Sequence, residues 1–318
     1  MKKLYEVTIE VLQRCPNKCI YCSSWSSQDK TSALSYDTIC EIVDDASVLG
    51  AQLINLSGGE PLLRSDIVDI LDYIKSKKMK IRLYTSGIYF EQGYKTVPLN
   101  LLEAIKDKVD TLIFNYETSC PGLYARIMGT VPENLALLEE TIYNAINIGI
   151  NVEAHLVPMK CNFLQIPNIL ERVYSLGVSK VSLLRFVPQG RSVENAETTV
   201  LSKKDEDDLR EMLKDLSGHY GEKLRLGKPY RFENLSSCLT GTIRLAVRYD
   251  GFVFPCGAFK DGIMMFKGCA PDNIRDKSLK DIYYDSEYVQ TVRMELERYY
   301  KGEVNESCFG QHCRNLRI

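Results

Sequence analysis

The sequence predicts an α/β protein: a partial (β/α)6 barrel of the TIM type, followed by a smaller C-terminal region built from a β-hairpin and a helix. Three observations predict it. Short apolar runs alternate with amphipathic stretches of helical length six times from residue 4 onward, the pattern of a parallel sheet covered by helices. Within the strands polar and apolar residues alternate, which suits helices packed on one face and a polar interior on the other. Near Gly221 the rhythm stops, and Asp250-Gly251 between apolar alternations reads as a two-residue hairpin turn. The domains are therefore expected at residues 1–220 and 221–318.

The first strand is expected at residues 5–12, where Glu6, Thr8 and Glu10 alternate with Val7, Ile9 and Val11. Its helix covers about residues 36–49 and is closed by Gly50. The apolar run Leu53-Ile54-Asn55-Leu56 is the second strand, with a helix over residues 66–77. A third strand at 80–84 ends in Thr85-Ser86-Gly87, and a helix begins near Asn100. The fourth strand, 111–116, leads into an irregular segment and a helix over 133–148. The fifth, 152–157, precedes a helix over 166–176. The sixth, 181–186, runs through Val187-Pro188-Gln189-Gly190-Arg191 toward a polar helix at 203–216, whose early acids favour its N-terminal dipole. Asn115 and Glu117 share one strand face, as do Glu153 and His155. Desolvating an unpaired carboxylate costs several kcal/mol, so this polar face is expected to bound a cavity that binds something polar. Barrel chemistry sits at C-terminal strand ends, where Cys15 to Cys22, Ser57 to Glu60 and Thr85 to Gly87 all fall.

The formal net charge is -2, apolar residues make up 45%, and no window offers a long uncharged span. This composition excludes a nucleic-acid surface and a membrane anchor. The basic residues between Lys75 and Arg82 read as a solvated helix end running into a strand. Eleven cysteines and no targeting segment point to a reducing compartment, the cytoplasm.

Cys15, Cys19 and Cys22 lie within eight residues, so one loop can deliver three thiolates to a small metal cluster. Zinc sites and cubanes both take four protein ligands as a rule, and no fourth follows nearby, since Cys40 lies beyond the next helix start. Zinc or a disulfide stays open at this point. Three cysteines on a cubane leave one iron free for a small molecule. The CxxxCxxC spacing with Tyr21 before the last cysteine resembles the radical S-adenosylmethionine enzymes. Ser57-Gly58-Gly59-Glu60-Pro61 is similar to that family's glycine-glycine-glutamate segment, and Thr85-Ser86-Gly87 to its Thr-Asn-Gly, with Ser86 in place of Asn. The resemblance implies a [4Fe-4S] cluster on Cys15, Cys19 and Cys22 whose open iron chelates S-adenosylmethionine (SAM). It implies cofactor contacts from Tyr21, Ser57, Gly58, Gly59, Glu60, Ser86, Asn115, His155 and Arg185. Asn162 is a further pocket residue, and Glu117 a candidate catalytic group. For His155, a hydrogen bond within the strand is the bland alternative. The implied reaction is reductive cleavage of SAM to a 5′-deoxyadenosyl radical that abstracts a substrate hydrogen atom.

A second set of cysteines follows. Cys238, Gly251 and Cys256 match the CysX12GlyX4Cys opening of the SPASM extension, and Cys308 with Cys313 would complete four ligands. The closely spaced middle block of that extension is missing, so the layout resembles the shorter twitch form and implies one auxiliary [4Fe-4S] cluster. Asp272-Asn273-Ile274-Arg275 and Ser278 to Tyr283 are similar to the Gly-Asn-Ile and Leu-x-x-Ile segment of those extensions, with Asp272 in place of the Gly. His312 beside Cys313 keeps a zinc knuckle open. Cys269 is a candidate ligand or catalytic hydrogen-atom donor, while Cys40, Cys120 and Cys161 read as incidental thiols. The tyrosines at 283, 284, 288, 299 and 300 read as packing residues or an electron route.

Many relatives with such extensions mature ribosomally made peptides, so the resemblance implies an oxidative or epimerising modification of a peptide. Dehydrogenation or epimerisation of a small polyol or sugar-like metabolite is the alternative, and a zinc-stapled, non-catalytic binding protein a second one. The implied partners are the substrate and an electron donor such as flavodoxin or ferredoxin. With the first motif cysteine at position 15, no N-terminal leader-recognition domain is expected.

Overall fold

The computed structural model describes residues 3–227, 230, 238–260 and 268–303. Its first elements are β1 (Glu6–Glu10), α1 (Tyr36–Val48), β2 (Leu53–Ser57), α2 (Ile67–Ser76), β3 (Lys80–Thr85), β4 (Ile88–Phe90), β5 (Tyr94–Thr96) and α3 (Leu99–Ile105). Then come β6 (Thr111–Asn115), α4 (Pro121–Met128), α5 (Asn134–Asn147), β7 (Val152–Leu156), α6 (Ile166–Ser175), β8 (Lys180–Leu183), α7 (Ala196–Thr199), α8 (Lys203–Tyr220) and β9 (Leu224–Leu226). The chain closes on β10 (Arg244–Val247), β11 (Val253–Phe254), α9 (Leu279–Asp285) and α10 (Glu287–Tyr300). It divides into two compact units: Met1–Arg14 with Thr31–Arg82 and Ser236–Ile318, and Cys15–Lys30 with Leu83–Leu235.

In the first unit the strand order is β11-β10-β1-β2. β1 runs parallel to both neighbours, Glu6 opposite Leu53 on one side and opposite Arg244 on the other, while β11 turns back antiparallel on β10. The alternation in β1 is realised: Val7 and Ile9 are fully buried, as are Ile54 and Leu56 of β2. Amphipathic helices supply the apolar layer, with Ile39, Ile42, Val43 and Ala46 from α1 and Ile67, Ile70, Leu71 and Ile74 from α2. Each of the Ile, Leu and Val side chains among them contributes roughly 1.5–3 kcal/mol on burial. Ser35 caps α1 by accepting the Thr38 N–H at 3.1 Å, as an N-cap serine should. The hairpin expected at Asp250-Gly251 is present, but its loop has three residues, Tyr249 to Gly251, instead of two: the Arg248 N–H donates to the Phe252 carbonyl at 2.9 Å and the Gly251 N–H to the Arg248 carbonyl at 2.8 Å, with Gly251 at a φ of +92°.

The second unit orders its strands β6-β7-β8-β9, all parallel, with Asn115 opposite His155 and Leu183 opposite Leu226. All six expected strands are present, but the first is confined to Glu6–Glu10 and the sixth to Lys180–Leu183, so that Glu117 and Arg185 lie beyond the ends of their strands. Three further features depart from expectation. β9 carries the parallel rhythm one strand past Gly221, β10 joins β1 as a parallel neighbour, and the segment read as irregular after the fourth strand is helix α4. In α4 the proline stands at the first helical position, where its missing N–H would be unsatisfied anyway. Among the described residues no helix is long and apolar enough to cross a membrane.

Candidate functional site

The cysteine loop belongs to the second unit and is held by backbone from two sides. The Lys18 N–H donates to the Met128 carbonyl at 3.0 Å and the Ile20 N–H to Ile127 at 2.9 Å, so the C-terminal turn of α4 supports the loop. From the other side the Arg191 N–H donates to the Cys22 carbonyl at 3.0 Å, and the Arg191 guanidinium donates to the carbonyls of Cys19 and Ser26, each at 2.7 Å. Gly190 makes that approach possible: its φ is +59°, and a Cβ there would lie 2.5 Å from the Cys22 carbonyl oxygen. Trp25, at 5.8 Å from the Arg191 guanidinium, has a φ of 54°, a left-handed backbone that costs an aromatic residue energy. The sequence reading named Gly190 and Arg191 only as part of the run after the sixth strand and gave Met128 no role of its own. Their contacts bridge more than one hundred residues of chain, and no local pattern announces them.

Within the loop the Cys22 N–H donates to Cys19 O at 3.2 Å. Burial and the neighbouring Cys22 push the Cys19 thiol well above its ordinary range, while Arg191 pulls it down. Sulfur also meets sulfur here, since Cys19 Sγ and the Tyr21 hydroxyl each lie 3.8 Å from Met128 Sδ. The Tyr21 hydroxyl lies near the Glu117 carboxyl; Glu117 Oε2 accepts the Val157 N–H at 2.8 Å, and Oε1 is buried without a hydrogen-bond partner among the described residues. Glu117 is fully buried, and burial raises its pKa to about 8 against the pull of those two groups. A neutral carboxylic acid at that place can donate as well as accept. Asn162, expected as a pocket residue, spends its side chain on backbone: it accepts the Met159 N–H at 2.7 Å and donates to the carbonyls of Glu117 and Val157 at 2.9 and 3.1 Å.

Ser86 accepts the Ile88 N–H at 3.4 Å in a local turn. His155 is buried and meets the Tyr84 ring edge-on at 5.2 Å, while Asn115, its register partner, is half-buried. Arg185 lies half-buried just past β8.

The glycine-glycine-glutamate segment belongs to the first unit. A Cβ on Gly58 would lie 2.4 Å from Leu12 O, and one on Gly59 2.0 Å from Arg14 O. The close approach these glycines allow is therefore to the backbone of residues 12–14, which receives the Gly59 N–H at 2.7 Å and the Glu60 N–H at 2.8 Å. Ser57 ends β2 half-buried. The Glu60 carboxylate is fully buried and accepts the Leu62 N–H at 3.2 Å.

On the polar face of β1 the expectation of unpaired carboxylates is corrected. Glu6 pairs with Arg244 at 3.1 Å, Glu10 pairs with Lys260, and Asp250 beyond β10 pairs with Arg248 at 2.7 Å. Thr8 accepts from Asn55 at 3.4 Å. The face is polar, with its ions matched inside the chain.

Cys238, Cys256 and Cys269 pack against one apolar cluster of Ala246, Phe254, Phe259, Tyr288, Val292 and Leu296. Cys269 Sγ is 3.5 Å from Thr291 Oγ1. Cys308, His312 and Cys313 lie outside the described residues.

Among the described residues no three or more His, Cys, Asp or Glu side chains are arranged around a single metal ion. A cubane does not require that, because each thiolate binds its own iron at a corner. Three thiols on one braced loop, with a buried guanidinium over the same backbone, fit an anionic iron–sulfur cluster.

Residues 9–172 match the family model described as the Radical SAM superfamily, and residues 238–314 match an iron-sulfur cluster-binding domain, SPASM. In sequence the chain is similar to a "Probable GTP 3',8-cyclase" of Methanococcus maripaludis, 25% identical over 80% of this chain and 86% of that protein. It is also similar to a PqqA peptide cyclase of a Methylobacterium species, 26% identical over 89% of this chain and 74% of that protein. In structure it resembles Streptococcus suis SuiB bound to SAM, with a TM-score of 0.72 and 18% identity over 92% of this chain and 68% of that one. It also resembles anSMEcpe with bound SAM and a peptide, with a TM-score of 0.67 and 13% identity over 90% of this chain and 81% of that one. These two likenesses show the fold.

Proposed function

Since the chain belongs to the Radical SAM superfamily, an enzyme family with a SAM-binding [4Fe-4S] cluster, we propose that it carries out an oxidative or epimerising modification of a ribosomally made peptide. The cluster, once bound with SAM, supplies the 5′-deoxyadenosyl radical that removes a substrate hydrogen atom. Cys15, Cys19 and Cys22 would hold that cluster. Ser57, Gly58, Gly59, Glu60, Ser86, Asn115, His155 and Arg185 are proposed to position SAM. Cys238, Cys256, Cys308 and Cys313 are proposed to hold one auxiliary cluster, with Cys269 beside them as a hydrogen donor or substitute ligand. A flavodoxin- or ferredoxin-type donor is the proposed source of electrons.

The observation that carries the substrate reading is the matching of ions at the C-terminal ends of β1 and β10. Arg248 and Lys260 there are each engaged by a carboxylate. A face of this kind suits neutral polar groups such as peptide amides, and weighs against a polyphosphate, which needs cations to receive it. Sequence likeness to a peptide cyclase along 89% of the chain supports the same reading. The same uncharged polarity favours, as a second reading, a small polyol or sugar-like metabolite.

The test is deuterium transfer. Reduced, anaerobically reconstituted protein is given SAM with perdeuterated peptide encoded beside its gene, or with perdeuterated polyols. Label is expected in 5′-deoxyadenosine from the peptide; label from polyols alone would overturn the peptide reading.

A further inference from the structure

Arg191 is a cation buried to 6% exposure. Its guanidinium donates to two carbonyl oxygens, those of Cys19 and Ser26, and lies over Trp25; among the described residues no carboxylate stands within ion-pair distance of it. Arg64 and Arg248 each meet an aspartate, at 2.6 and 2.7 Å, whereas half-buried Arg293 donates to the Gly241 carbonyl at 2.6 Å and lies over the Tyr283 ring. A buried charge without a counter-charge costs several kcal/mol, and two carbonyl dipoles offset only part of that.

We propose that Arg191 is the buried counter-charge and positioning residue of the thiolate-ligated cluster on Cys15, Cys19 and Cys22: its planar fork fixes the loop backbone, and its charge holds the reduction potential of that cluster up. The inference rests on the cluster reading of the loop. A reduced cluster carries one more negative charge than an oxidised one, so a fixed cation nearby stabilises the reduced form, and its removal lowers the potential. The fork matters separately. Two guanidinium nitrogens reach carbonyls seven residues apart, which a lysine ammonium on a single stem does not reproduce. Charge and geometry therefore come apart in different substitutions.

The experiment uses anaerobically reconstituted full-length protein, wild type against Arg191→Lys, Arg191→Gln and Arg191→Met. Iron and sulfide content are measured, together with the midpoint potential from an EPR-monitored redox titration. The expected result is a midpoint lowered in the Gln and Met variants and kept near wild type in the Lys variant. If the neutral variants fail to retain the cluster where Lys retains it, the charge requirement stands on that difference. A wild-type midpoint in Arg191→Met, or equal loss of cluster or potential in all three variants, reduces Arg191 to a backbone strut and overturns the proposal. A wild type that binds no iron or sulfide would instead remove the cluster reading itself, so the two failures are distinguishable.

Discussion

Glu117 holds a proton that the unfolded chain would release. Its carboxyl pKa is about 8 in the fold against an ordinary 4.5, because burial disfavours the charged form. The stability this proton contributes is complete below the ordinary carboxyl range, declines as pH rises from 4.5, and is gone once pH has passed about 8. The melting temperature of metal-free protein should fall across that window, and Glu117→Gln should flatten the slope; an unchanged slope would place the acid outside the linkage. Gly59 makes a second prediction. A Cβ there would lie 2.0 Å from the Arg14 carbonyl oxygen, backbone that cannot swing away, whereas Gly93 has nothing within 4 Å. In urea unfolding Gly59→Ala should lose roughly 1–3 kcal/mol or more, with Gly93→Ala within about 0.5 kcal/mol of wild type. Equal effects would remove the steric account. Cysteines and glycines such as these are legible in a sequence because their spacing is local. Arg191 is not, since its meaning lies in a carbonyl 172 residues away.

At the scale of elements, the six main strands and their helices were readable because each carries its own period and its own punctuation. Ser202 opening α8 is a case in point: its hydroxyl accepts the Asp205 N–H at 3.1 Å and Asp205 returns the bond to the Ser202 N–H at 2.9 Å. Ser202→Ala should cost about 1 kcal/mol in thermal or urea unfolding, and no loss would mean that the box contributes nothing. Asn162 joins the end of β7 to the residue after Tyr116 through buried bonds. Asn162→Ala leaves an N–H and two carbonyls unsatisfied, for an expected loss of roughly 2–4 kcal/mol by the same measurement; a loss under about 1 kcal/mol would show that water replaces the side chain. The elements that escaped the sequence are short or remote. β4, β5 and β9 are three residues each, too few to show a period. The place of β10 beside β1 depends on a partner more than two hundred residues away.

At the scale of the whole chain, two family segments divide the chemistry, and the C-terminal one is where the sequence and the described structure meet least. Cys238, Cys256 and Cys269 share one apolar cluster, while Cys308 and Cys313 lie outside the described residues. Replacing Cys256 by Ala should remove about half of the iron, one cubane of two, while cleavage of SAM to 5′-deoxyadenosine and methionine persists. Unchanged iron would end the proposal of a second cluster. The paired ions on the face of β1 correct the sequence argument for a different reason: composition shows carboxylates, and only tertiary structure brings Arg244 and Lys260 to them.

The protein has a single tryptophan, and it stands at position 25, partly exposed, in the braced cysteine loop. Red-edge excitation past the nineteen tyrosines therefore gives an optical signal from this loop and from nowhere else in the chain. Its emission should dim as a broad-absorbing chromophore assembles beside it, so fluorescence follows loading of the loop without any label.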